Sequence, residues 1–122
     1  MRKNRYIPIK TDDVKVQILD TIIRFPDTTL MTREALAIRE QLPEIAEALF
    51  STRNVELSQD TRLISGRAKQ QVLCATLGSG WEPFPDLPFR RDDIGYIYKI
   101  AVTQIASYLV SKGQLYEDLT VA

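Results

Sequence analysis

The segment IGYIYKIAVTQIASYLV, from Ile94 to Val110, constrains the fold more than any other part of the chain. Its apolar residues Ile94, Ile97, Tyr98, Ile100, Ala101, Val102, Ile105, Tyr108, Leu109 and Val110 fit a helix but cover nearly its whole circumference. A helix of that kind has no face that water solvates well, so it belongs at the centre of a bundle with other helices around it. Asp92 or Asp93 caps its start, and it runs to Lys112 and stops at Gly113. A membrane span is the competing reading, but spanning takes about 20 predominantly apolar residues. This segment is shorter and carries Lys99, Thr103, Gln104 and Ser107, and a lysine in mid-span is costly. No membrane partner is expected.

A central helix requires others to cover it, and the pattern on either side supplies them. Thr11, with Asp12 and Asp13 in the first turn, caps a helix whose stripe is Val14, Ile18, Leu19, Ile22, Ile23 and Phe25 and which Pro26 ends. Thr32 caps a second, with Ala35, Leu36, Ile38 and Leu42 as its apolar positions. Pro43 removes a hydrogen bond and crowds the preceding turn, so a break is expected at Leu42. A third helix, PEIAEALFSTRN, then starts with Pro43 at its first position and buries Ile45, Ala48, Leu49 and Phe50. Between Val55 and Ile64, apolar and polar residues alternate around a turn-like SQD, which fits a short β-hairpin; a helix beginning near Ser58 is the rival. Ser65 caps a further helix that places Ala68, Val72 and Ala75 on one line, with Leu73 and Leu77 beside them, and Gly78 stops it. The closing QLYEDLTVA adds a short final turn, or is left free to reach a partner. The expected architecture is a mainly α, single-domain bundle of four to five helices over residues 1–122, with the hairpin at 55–64 left open. Within it, residues 1–10 form a flexible basic tail and residues 79–93 a connecting loop.

Size and composition agree with such a domain. A chain of 122 residues buries enough surface to hold a core without disulfide or metal staples. Its 44% apolar and 26% charged residues are those of an ordinary globular domain rather than a disordered one. Sixteen basic and sixteen acidic side chains cancel, so no overall field draws the protein to nucleic acid or to an anionic surface. Cys74 is the single cysteine and histidine is absent, which rules out an internal disulfide and removes the usual zinc donors. Within QQVLCATL, Cys74 reads as a small buried hydrophobe in a reducing compartment. The basic start MRKNRY is not followed by the apolar run of a secretory signal, and the expected location is the cytoplasm.

The same inventory argues against an enzyme. Without histidine there is no Ser-His-Asp or Cys-His triad. The neighbouring carboxylates Asp12 with Asp13, and Asp92 with Asp93, point in different directions along a helix and sit where helix N-termini favour negative charge. Glu40, Glu44 and Glu47 have helical spacing but no Glu-x-x-His partner for a di-metal site. GSG at Gly78–Gly80 lacks the lysine and the serine or threonine of a phosphate-binding loop. No catalytic residue, metal ligand or cofactor is nominated.

The richest apolar surface outside the helices is SGWEPFPDLPFRRDD, Ser79–Asp93, which holds the only tryptophan and half of the 6 prolines. Connections in helical bundles are usually two to eight residues long, so a longer proline-rich one needs a reason. As a core lid it would pack Trp81, Phe84, Leu87 and Phe89 across the helix faces, its prolines reducing the entropy lost on ordering. As a partner-binding patch, the same side chains with Arg90 and Arg91 have the aromatic and arginine composition of interface anchors, rimmed by Glu82 and Asp86. The combined arrangement buries Phe84 and Phe89 and leaves Trp81 and Arg90 outward. The expected function is a non-catalytic protein–protein interaction module: an adaptor, a small subunit or a homo-oligomer.

Nucleic-acid binding is the alternative. The order of helix, Thr32-capped helix, turn, third helix and hairpin from Val14 to Ile64 is similar, in element order only, to a winged helix-turn-helix domain. The helix that would enter the groove nevertheless begins PEIAEALF, and Glu44 and Glu47 would face the phosphates. The basic residues available for a helical regulator or accessory subunit of a nucleoprotein complex are Arg2, Lys3, Arg5, Arg62, Arg67 and Lys69.

Overall fold

Four helices form in the places where apolar periodicity and capping chemistry coincide. A computed structural model describes residues 9–24, 29, 31–51, 64–79, 91–116 and 119. The helices are α1 (Val14–Arg24), α2 (Arg33–Phe50), α3 (Gly66–Ser79) and α4 (Arg91–Ser111), and each packs against the other three. There is no strand among the described residues, and the segment expected to form a hairpin lies outside them except for Ile64, which is buried.

The cap of α1 is Asp13, two residues beyond the expected Thr11. Its carboxylate accepts the N–H groups of Lys15 and Val16 at 2.9 and 3.4 Å, which satisfies two donors that helix geometry leaves over. Thr11 prepares this turn by accepting the N–H of Asp13 at 3.1 Å. Val16, Ile18, Leu19, Ile22 and Ile23 are buried, whereas Val14, expected in the stripe, is 47% exposed. At the other end Arg39 of α2 donates from Nη1 to the carbonyls of Ile22 and Ile23, both at 2.7 Å, so a side chain from α2 closes the carbonyl end of α1.

Thr32 caps α2 as expected, accepting the N–H of Ala35 at 3.1 Å. The expected break at Leu42 is absent. α2 runs as one helix of 18 residues with Pro43 inside it, so the helix-turn-helix resemblance fails here. An interior proline costs about 3 kcal/mol. Leu42, Ile45 and Phe50, all buried on the face that continues from Ala35 and Ile38, each contribute about 1.5–3 kcal/mol, which outweighs that cost. Pro43 itself is exposed, as is Ala48, which was expected inside.

Ser65 caps α3 by accepting the N–H of Ala68 at 3.0 Å, and Ala68, Val72 and Leu73 are buried. The helix continues through Gly78, the expected stop, to Ser79. α4 starts at Arg91, so Asp92 and Asp93 stand in its first turn rather than capping it from outside, and the loop expected at 79–93 has helix at both ends. Gly113 closes α4 with φ 71°. Its N–H bonds to Val110 O at 3.0 Å, and that of Gln114 to Leu109 O at 2.9 Å, the paired bonds that a left-handed glycine makes possible.

Ile94, Ile97, Tyr98, Ala101, Val102, Ile105, Ala106 and Leu109 of α4 are buried. The helix is not covered all round, however: Tyr96, Lys99, Thr103, Gln104, Ser107, Val110 and Ser111 are exposed. Beyond Gly113 the chain turns back, burying Leu115 and Leu119, and Thr32 donates its hydroxyl to the carbonyl of Leu119. At the other end Ile9 is half-buried and donates its N–H to Asp20 at 3.1 Å, so the last residues of the expected tail are tied to the bundle. Among the described residues no helix is long and apolar enough to cross a membrane.

Candidate functional site

The exposed side of α4 is a low, uncharged ridge. Between Lys99 and Lys112 the sequence IAVTQIASYLVS has no ionisable group other than the Tyr108 phenol, and Thr103, Ser107 and Ser111 fall at i, i+4 and i+8, one line along the helix. A hollow of 350 Å³ on one side is lined by Asp13, Lys15, Ala106, Ser107, Val110 and Ser111. On the other, Leu49, Phe50, Thr103, Gln104 and Ser107 line one of 260 Å³. Ser107 borders both. The contrast with α2 is chemical: Arg33, Glu34, Glu40, Glu44 and Glu47 occupy its exposed positions. α3 is also uncharged after Lys69, but its exposed Cys74 lies within the field of Glu47.

Towards the start of α4 the surface changes character. Asp20 of α1 is fully buried, and its carboxylate accepts from Tyr98 Oη at 2.7 Å, Arg24 Nε at 2.8 Å, Ile9 N at 3.1 Å and Arg24 Nη2 at 3.3 Å. Burial of an acid is tolerable when it is paired and hydrogen-bonded to this degree. The Arg24 guanidinium also lies over the Tyr98 ring, 5.1 Å from its centre. Over this network opens a hollow of 360 Å³ lined by Ile9, Lys10, Arg24, Gly95, Tyr96, Tyr98 and Lys99. Gly95 keeps it open. A Cβ at that position would meet nothing within 4 Å, although glycine inside a helix costs about 0.5–1 kcal/mol against alanine.

Lys69 and Cys74 also depart from the sequence expectation. Lys69, expected among the nucleic-acid contacts, is buried; its Nζ donates to Gln104 Oε1 at 2.9 Å and lies 5.4 Å from the centre of the Phe50 ring. A lysine withdrawn in this way bridges α3, α4 and α2. Cys74, expected inside, is exposed. The protein around its sulfur still strips part of the water from the thiol and pushes its pKa up, and the Glu47 carboxylate adds to the rise, the opposite of what a reactive thiolate needs.

Of the remaining basic candidates, Arg67 is exposed on α3, and Arg2, Lys3, Arg5 and Arg62 lie outside the described residues. Trp81, Phe84, Leu87, Phe89 and Arg90 also lie outside them, while Arg91 is the first residue of α4. No three cysteine or acidic side chains able to hold a metal ion gather among the described residues. Comparison of the chain with protein-family models, curated proteins and solved structures gives no match. The ridge and the hollow were both missed by sequence reasoning. The one available signal was Asp20, an acid set within the apolar run of α1 with Arg24 one turn later.

Proposed function

We propose that the protein is a non-catalytic interaction module whose contact surface is the exposed face of α4. The observation that carries this reading is the uncharged ridge Thr103–Ser107–Ser111 with a groove on each side. Depletion of charge is the compositional mark of an interface core, and small residues flanked by grooves admit the ridges of a second helix at close range. The exposed Val110, on the edge of one groove, adds apolar area. The partner is a helix of another protein or of a second copy of this chain, which makes the protein an adaptor, a small subunit or a homo-oligomer.

The experiment places a charge on the ridge. Ser107→Glu and Val110→Glu alter exposed positions, so both variants should fold with nearly unchanged thermal melting. Light scattering on the purified full chain, and quantification of the protein that co-purifies with it, should show the association weakened by about fivefold or more, the loss expected at an interface anchor. Equal association for wild type and both variants would remove this reading.

A further inference from the structure

The hollow at the start of α4 has a structural floor, Tyr98, Arg24 and Ile9 around Asp20, but its outer lining of Lys10, Gly95, Tyr96 and Lys99 makes none of those bonds. Gly95 weakens the helix that contains it, yet among the described residues neither usual reason for a glycine applies. Its φ is not left-handed, and no neighbour approaches where a side chain would stand. Lys10 and Lys99 are exposed on the lining and have no ion-pair partner among the described residues. The acid behind the lining, Asp20, is engaged by Arg24, Tyr98 and Ile9. Among the described residues, two positive charges therefore border a hollow walled by Tyr96, Tyr98 and Ile9.

We propose that this hollow takes an acidic residue followed by an apolar one in a partner polypeptide. The partner's carboxylate lies between Lys10 and Lys99, and the neighbouring apolar side chain fills the space over Gly95 against Tyr96 and Tyr98. This inference rests on the reading of the protein as an interaction module and gives one part of its partner a chemistry. Exposed ion pairs contribute little affinity, so the lysines select and steer the acidic residue while the apolar side chain supplies the contact area. A phosphate is the poorer occupant. Phosphate sites are typically built from arginine forks or converging backbone N–H groups; the cations here without an ion pair among the described residues are lysines, and tyrosine rings form much of the wall.

The test is a nuclear magnetic resonance titration of the isotopically labelled full chain with two capped peptides, Gly-Gly-Glu-Phe-Gly-Gly and its Gln-Phe counterpart, and with a single-stranded oligonucleotide. The Glu-Phe peptide should shift the amides of Lys10, Gly95, Tyr96 and Lys99 at millimolar concentration. The Gln-Phe peptide should bind about 2–5-fold more weakly, the loss of one exposed ion pair, and added salt should narrow the difference. Lys99→Glu should weaken the Glu-Phe peptide selectively. Gly95→Leu should abolish binding of both peptides without lowering the melting temperature, because the new side chain has room. Equal binding of the two peptides, no binding of either, or shifts of these amides by the oligonucleotide alone would overturn the proposal. If that happens while Ser107→Glu still disrupts association, the interaction reading survives and only the partner chemistry is wrong; if Ser107→Glu has no effect either, both fall.

Discussion

The phenol of Tyr98 in α4 donates a 2.7 Å hydrogen bond to Oδ1 of Asp20 in α1, joining positions 78 apart in the chain. Asp20 is fully buried and Tyr98 nearly so, so the bond lies where water cannot replace it. The same carboxylate holds Arg24 and the N–H of Ile9. One buried acid thus fixes the rotation of α1 against α4 and ties down the chain before α1. The floor of the charged hollow follows from that arrangement.

Tyr98→Phe removes the donor and leaves the ring in place. A hydrogen bond to a charged, buried partner is worth about 1.5–3 kcal/mol, and urea unfolding should register a loss of that order. Asp20→Ala should cost more, about 3–5 kcal/mol, because it leaves the Arg24 guanidinium without its carboxylate. An unchanged unfolding midpoint in Tyr98→Phe would show that α1 and α4 are oriented by apolar packing alone.

Ile105 is fully buried midway along α4. Ile105→Asp introduces a carboxylate with no charged partner, at a cost of several kcal/mol against a total stability of about 5–15. The variant should lack a cooperative thermal transition by circular dichroism. A near-native transition would place that face of α4 at the surface.

Pro43→Ala should stabilise the protein. Alanine supplies the N–H that α2 lacks opposite the carbonyl of Arg39 and removes the crowding of the ring, for a gain of about 1–3 kcal/mol. Differential scanning calorimetry should show a higher melting temperature. A lower one would mean that the ring's place beside Leu36 and Leu77 matters more than the missing bond.

Leu119 is 1% exposed, and its carbonyl accepts the hydroxyl of Thr32. Leu119→Ala should cost about 2–5 kcal/mol through the cavity it leaves, and Thr32→Ala about 1 kcal/mol through the lost cap. The two sites share a contact, so a double-mutant cycle should show them coupled rather than additive. Strict additivity in denaturant unfolding would separate the closing segment from the start of α2.

Cys74 is exposed but its thiol is held above its ordinary pKa, first by burial and then by Glu47. The thiolate, which is the reacting form, should be scarce at neutral pH. Alkylation by iodoacetamide should be slow there and should speed up only in strongly alkaline buffer. Glu47→Gln should move that rise to lower pH, and a pH profile identical to that of a small free thiol would contradict the assignment.

Much of this fold is determined by sequence alone, because the forces involved are local. The cap at Thr32 needs only the N–H of Ala35, the cap at Ser65 only that of Ala68, and the stop at Gly113 only a residue free to take positive φ. The burial of Ile97, Ala101 and Ile105 follows from helical spacing without knowledge of what covers them. The tertiary structure decided what depends on distant partners. Pro43 stays inside α2 because neighbouring helices bury Leu42, Ile45 and Phe50 on either side of the expected break, and no local rule contains that gain. Asp20 is acceptable in the core because Tyr98 reaches it from α4, and Lys69 is withdrawn from the surface because Phe50 and Gln104 receive it. The ridge and the hollow belong to this second group: periodicity marks which residues are apolar, but only the packing of the other helices determines which side of α4 stays uncovered.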